Sequence, residues 1–268
     1  MNRFNQPIIG VIGGAGVAAG ALLTSRLEEI VTRLGAFRDA HHPELIVWQA
    51  TSAPSRSLFL EGRGPDFTAD FSRIARHLKA CGADVFCMVC NTAHHSAAAI
   101  SAAAELELID MIEAMFAKIK RNHPMCRRVG LICSQGARDK RVFDRYAGGL
   151  ELIYANQMAQ DWITAGICGV KTMNRFQSEH HPNRPKSIFQ RASIWMEQQG
   201  AEVIASCCTD IAVDFDARDC SSLPLVDSLE SLADAILNYW LRTGEFSQEH
   251  PMYQIARAVA QGGVAREK

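Results

Sequence analysis

Short apolar runs recur along the chain at Ile8 to Ile12, Leu45 to Gln49, Val85 to Val89, Val129 to Cys133, Leu152 to Tyr154 and Val203 to Cys207. None alternates strictly between apolar and polar, which is the pattern of strands covered on both faces. Between them apolar residues fall at helical spacing, most cleanly at Phe67, Phe71, Ile74 and Leu78. Leu27, Ile30, Val31, Leu34 and Ile188, Ala192, Trp195 are weaker instances. Buried strands alternating with amphipathic helices predict an α/β fold of parallel sheets flanked by helices. Ligands of such sheets gather beyond the carboxyl ends of the strands, where candidate chemistry is to be sought.

Sliding the sequence on itself exposes a repeat. Gly82-Ala83-Asp84-Val85 returns 118 residues later as Gly200-Ala201-Glu202-Val203, and eight residues past each glycine stands a cysteine, Cys90 and Cys208. Leu108-Ile109-Asp110 matches Leu225-Val226-Asp227, and Ile9-Gly10-Val11-Ile12 matches Val129-Gly130-Leu131-Ile132. Two similar domains follow, 1–112 and 113–227. The division falls in the polar stretch holding Lys118, Lys120, Arg121, Asn122, His123 and Pro124. Residues 228–268 read as helix (Leu232, Ala235, Ile236, Tyr239, Trp240) and are expected to pack back on the first domain.

Composition narrows the function. With 48% hydrophobic and 21% charged residues the 268-residue chain has a real core, which excludes disorder and coiled coil. A formal net charge of -1 offers no global field for nucleic acid or an anionic membrane. The start, with one basic residue before a short apolar run, reads as neither leader nor span, giving the expectation of a cytoplasmic protein. Nine cysteines, an odd number lying mostly inside apolar runs, read as buried hydrophobes rather than a disulfide framework.

Cys90 and Cys208 are the exception, because each occupies the same place in its copy. At strand ends ahead of helices they would feel free backbone N-H groups and a helix dipole, which favour thiolate. Cys87 aligns with Ala205 and Cys207 with Val89, so these two read as structural. One thiol on either side of a cleft is what inversion at carbon needs: a thiolate removes a proton from one face while a thiol delivers one to the other. A metal site is the weaker reading. Cys87-x-x-Cys90 on a strand sends its side chains to opposite faces, and the doubled histidines His41-His42, His94-His95 and His180-His181 diverge on any regular element.

With Gly13-Gly14 after the first strand, Val89-Cys90-Asn91-Thr92-Ala93-His94 and Cys207-Cys208-Thr209-Asp210, the chain resembles the cofactor-independent aspartate/glutamate racemase superfamily over nearly its whole length, closest in pattern to aspartate racemase. The resemblance implies two α/β domains related by a pseudo-twofold axis with the active site in the cleft between them, a homodimer, no pyridoxal phosphate and no metal. It makes Cys90 and Cys208 the catalytic acid/base pair, with Gly14, Asn91, Thr92, Thr209 and Asp210 around the substrate's amino and α-carboxylate groups. Ser52-Ala53-Pro54-Ser55-Arg56 looks like the family's P-D-R loop, and Ile167-Cys168-Gly169-Val170-Lys171 like the segment carrying an active-site lysine. Arg56 and Lys171 would then favour an acidic amino acid, aspartate first. The sequence departs from the family's G-G-M-G-P-x-A-T/S opening at Ala15, Val17 and Gly20, has Cys207 for the glycine and Asp210 for the glutamate of G-C-T-E, and has Ser134-Gln135-Gly136-Ala137 for T-x-G-T.

Other readings remain open at this level. Gly14-Ala15-Gly16-Val17-Ala18-Ala19 fits the G-x-G-x-x-A dinucleotide fingerprint, without the acidic residue expected after the next strand, where Gln49 stands. A superfamily isomerase for another amino acid or a dicarboxylate, a decarboxylase, and a non-catalytic amino-acid binder share the same motifs; a decarboxylase would need only one cysteine. Glu61-Gly62-Arg63-Gly64-Pro65 has the glycines of either a closing loop or a rigid turn.

Overall fold

The computed structural model describes residues 6–262; the leader reading of the first five residues and the last part of the 228–268 segment lie outside the described residues. Two four-stranded sheets form, each all parallel. The first has strands β1 (Ile8–Gly13), β2 (Glu44–Gln49), β3 (Val85–Met88) and β4 (Glu107–Ile109) in the order β2-β1-β3-β4. The second has β5 (Arg128–Cys133), β6 (Glu151–Tyr154), β7 (Val203–Cys207) and β8 (Leu225–Asp227) in the order β6-β5-β7-β8. The two orders are the same strand for strand, so the repeat in the sequence is a repeat of topology.

The helices of the first half are α1 (Val17–Arg33), α2 (Arg56–Leu60), α3 (Thr68–Ala80), α4 (Ala97–Ala104) and α5 (Met111–Asn122). Those of the second are α6 (Gln135–Asp139), α7 (Gln157–Gly169), α8 (Pro185–Gln198) and α9 (Ser228–Thr243), followed by α10 (Tyr253–Ala260). The helical spacings read above fall in α1, α3 and α8. Strands β2 and β6 were expected to be covered on both faces, but they are sheet edges whose side chains are exposed or half-buried. The three-residue strands β4 and β8 are too short to stand out as apolar runs.

Each sheet buries its outer face under its own helices: α3 and α4 on the first, α7 and α8 on the second. The glycines that aligned in the repeat explain how. A Cβ at Gly10 would meet Leu78 of α3 at 3.0 Å, and one at Gly130 would meet Met196 of α8 at 2.9 Å. Both glycines let a helix settle onto the central strand at the equivalent point.

The inner faces are joined. Ile9, Val11, Val85 and Cys87 of one sheet share a single core with Val129, Leu131, Val203 and Ala205 of the other, through residues of α1, α5 and α9. The polar stretch before Met125 is the exposed side of α5; its other side buries Ile112, Met115, Phe116 and Ile119. α9 follows β8 as α5 follows β4, packs against α5 and α1, and buries Leu229, Leu232, Ile236 and Trp240. Lys118 of α5 clamps the pair from outside, reaching Glu230 at 2.8 Å and Asp234 at 2.9 Å on α9.

The matched aspartates cap these helices and cross the seam. Asp110 accepts from the N-H groups of Ile112 and Glu113 and, at 2.6 Å, from the Tyr146 hydroxyl of the other half. Asp227 accepts from the Glu230 N-H and from Arg26 of α1 at 3.0 Å. Past α9 the chain returns to the first half, where the Gln6 amide donates to the Glu245 carbonyl at 2.8 Å.

Because Ile236 is fully buried between the halves, Ile236→Ala should cost about 2–5 kcal/mol of unfolding free energy in urea titration. A loss below about 1 kcal/mol would place α9 outside the shared core.

Candidate active site

Cys90 stands two residues past β3 and Cys208 directly after β7, both half-buried. Their loops touch: the Thr209 hydroxyl donates to the Val89 carbonyl at 3.3 Å, so the residue after one cysteine holds the residue before the other. Neither cysteine opens an α-helix. Cys90 precedes a 3₁₀ turn, Thr92–Ser96, and Cys208 a three-residue turn, Ile211–Val213. At Cys90 the turn runs on into α4, but at Cys208 no α-helix follows, and the thiolate-favouring dipole expected there is missing. At Cys208 the sign is reversed: burial and the Asp210 carboxylate push the thiol above its ordinary value, against the opposing pull of the Asp210 N-H and the Lys171 ammonium. Cys87 and Cys207 are buried in the core, and burial pushes the Cys87 thiol up to about 12.

The small polar residues beside the cysteines hold the seam. Asn91 donates to the Ser228 hydroxyl at 2.8 Å, and its Oδ1 is buried with no partner among the described residues. Thr92 and Ser134, one from each half, share a hydrogen bond of 2.8 Å. Gly14 sits at φ +76°, and a Cβ there would run into the Ala50 backbone. At Gly16 a Cβ would overlap the Asp210 carboxylate of the other half. That carboxylate faces the start of α1, where a dinucleotide's pyrophosphate would have to sit, and this weighs against the fingerprint reading. The 61–65 stretch forms a hydrogen-bonded turn: Gly62, φ +71°, closes α2 with Arg63 N-H on Leu58 O at 2.8 Å and Gly62 N-H on Phe59 O at 2.9 Å.

Lys171, just past α7, pairs with Asp210 at 2.9 Å. Burial pulls its ammonium down, but Asp210, Cys208 and Cys90 together hold it above its ordinary value, so it stays charged beside both thiols. Arg56 opens α2 and donates to the carbonyls of Pro54 (2.9 Å) and Ala15 (2.8 Å), with its guanidinium 5.8 Å from the Phe71 ring centre. Gly14, Arg56, Lys171 and Asp210 all line one cavity of about 970 Å³ between the halves. The structure thus gathers the predicted residues in two groups: Cys90, Asn91, Thr92, Cys208 and Thr209 along the seam, and Gly14, Arg56 and Lys171 around the cavity, with Asp210 in both. Among the described residues no three His, Cys, Asp or Glu side chains cluster as a metal centre requires.

A family model for Asp/Glu/Hydantoin racemase matches residues 12–236. The chain belongs to that family. It is similar to the broad specificity amino-acid racemase RacX of Bacillus subtilis (strain 168), 23% identical over 240 residues, covering 87% of this chain and 98% of that protein. The fold is that of the Picrophilus torridus aspartate racemase (TM-score 0.73, 18% identity, 92% of this chain and 99% of that one). It is also that of the Francisella tularensis glutamate racemase solved with D-glutamate (TM-score 0.57, 13% identity, 97% and 95%). Two parallel four-stranded sheets flanked by helices are the architecture of this racemase family.

The fold gives one motif residue a role that the sequence reading did not assign to it. His94, fully buried, sits 2.9 Å through Nδ1 from the Cys90 carbonyl and 3.4 Å through Nε2 from the Met111 N-H. Since Nε2 accepts, Nδ1 carries the hydrogen and donates to the loop of the cysteine. Arg145 of the second half donates to the His94 carbonyl at 2.7 Å, and Asp110 lies 3.6 Å from Nε2. The signal was present as an asymmetry of the repeat, because four residues past Cys208 stands Ala212.

Burial outweighs Asp110 and lowers the His94 imidazole below 6.5, so the folded ring is neutral. As pH falls below 6.5 the unfolded chain takes up a proton that the folded site refuses, and stability drops. His94→Asn should therefore flatten the acid side of the stability-versus-pH curve from urea midpoints. An unchanged slope would remove His94 from the neutral bridging role.

Proposed function

We propose that this racemase inverts the α-carbon of an acidic amino acid without a cofactor, one of Cys90 and Cys208 taking the α-proton while the other delivers a proton to the opposite face. What carries the reading is the pairing of two repeat-equivalent thiols across one seam, the Thr209 hydroxyl on the Val89 carbonyl holding their loops together. Cys208, held protonated by burial and Asp210, is the donor in one direction, and the roles of the two thiols exchange in the other. The carbanion is a poor leaving state in water, and donors already in place must stabilise the developing charge on the α-carboxylate. The Asn91 Oδ1, buried and unpartnered, is an acceptor for the substrate ammonium.

Support for an acidic side chain comes from charge. The cavity is lined by Arg56, Lys171 and Arg175 against one carboxylate, Asp210, a net excess of cations. Aspartate is the smallest substrate that answers it.

Cys90→Ala and Cys208→Ala should each lower racemisation by roughly 10²–10⁴-fold, while each single variant still exchanges the α-proton of one enantiomer with deuterated buffer, followed by proton NMR. Full racemisation by either variant overturns the two-thiol mechanism. The pH profile gives a second check. Lys171 lowers and Asp210 raises the Cys208 thiol, so Lys171→Met should move the alkaline limb of kcat/KM to higher pH and Asp210→Asn to lower pH. Shifts in the same direction for both would remove this electrostatic pair from control of the thiol.

A further inference from the structure

Arg56 and Lys171 are both engaged, the first on the Pro54 and Ala15 carbonyls and the second on Asp210. Arg175 is different. Its side chain lines the same cavity, stacks 4.6 Å above the Phe176 ring, and has no carboxylate or carbonyl partner among the described residues. It belongs to the 3₁₀ turn Met173–Phe176, four residues past Lys171. Around it the cavity is apolar and open: Met173 and Phe176 of this turn are 74% and 65% exposed, and Val17, at the start of α1 in the other half, is 57% exposed. Exposed apolar side chains at the rim of a cavity offer surface that a ligand's carbon chain can cover. At about 970 Å³ the cavity is near the upper end of the roughly 300–1,000 Å³ of pockets that enclose drug-sized ligands, far beyond what a four-carbon amino acid fills.

We infer that Arg175, with Met173, Phe176 and Val17, forms a distal subsite for the far end of a substrate longer than aspartate: an α-amino acid of six or seven carbons whose methylene chain lies on the apolar residues and whose terminal carboxylate meets the guanidinium. The inference rests on the two-thiol racemase reading and adds to it the length and ending of the side chain. The apolar residues select the chain and the cation selects its terminus, since a guanidinium stacked on a ring keeps its edge donors for a carboxylate. A cavity with a net excess of cations accommodates a dicarboxylic amino acid, whose own net charge is negative.

The test is a length series of L-aspartate, L-glutamate, L-2-aminoadipate and L-2-aminopimelate, with L-norleucine as the neutral member, each followed by α-proton exchange and by racemisation. L-2-aminopimelate binding is measured in parallel by calorimetry. The expected result is a kcat/KM for the six- or seven-carbon diacid at least about tenfold above that for aspartate. Arg175→Met should reduce that ratio by about tenfold, the magnitude of a lost hydrogen bond to a charged group, and Arg175→Lys should restore part of it. Preference for aspartate, or a ratio unchanged in Arg175→Met, overturns the subsite while leaving the racemase reading intact. Binding that depends on Arg175 without exchange of any substrate would support the subsite and overturn the two-thiol reading. Neither binding nor exchange overturns both.

Discussion

Everything at the candidate site depends on the burial of α5 and α9 between the two sheets. Each sheet covers its outer face with its own helices, but its inner face is apolar and is covered only by helices that both halves contribute. Removing that surface from water is the favourable term that holds the halves at one separation. The two cysteine loops are then brought within a hydrogen bond of one another. The capping aspartates sharpen the arrangement, because Asp110 and Asp227 each fix the first turn of a central helix and at the same time receive a donor from the opposite half. A single carboxylate thus serves local helix initiation and assembly of the seam.

The halves are alike in topology and unlike in electrostatics. Around Cys90 the polar groups are neutral and buried: His94 under the loop, Asn91 on Ser228, Thr92 on Ser134. Around Cys208 they are charged and partly wet, with Asp210 against the start of α1 and Lys171 reaching in from past α7. On the two-thiol reading proposed above, one thiol holds a proton while the other lacks it, and unequal surroundings set which of them does so at rest. A fold repeat carries two equivalent positions to the same seam, and divergence of the flanking residues makes them chemically distinct.

Much of this was legible in the residues. The runs from Ile8, Val85, Val129 and Val203 are central or near-central strands, and interior strands read as continuous apolar runs because helices cover both faces. The repeat located Cys90 and Cys208 together with the aspartates that cap α5 and α9. What was hidden had physical causes. β4 and β8 have three residues each, too few for a pattern. The environment of Cys208 was misjudged because the strand is followed by a turn of three residues rather than a helix, so no dipole offsets the cost of burying a thiolate. Arg175 carries no motif, and although His94 closes the Cys90 motif, its role lies in a carbonyl and an N-H that only the folded backbone brings to it.

The Gln6 to Glu245 hydrogen bond bears on the order in which the halves are read. Past α9 the chain lies against the entry to β1, just as past α5 it runs into β5. The gap between Glu245 and Gln6 and the connection over 123–127 are therefore counterparts under the same approximate symmetry. Joining the first and opening the second would give a circularly permuted polypeptide with the second half leading, the same eight strands in the same two sheets, and the cysteine loops still meeting at Val89 and Thr209. The fold is in this sense a closed ring of two units.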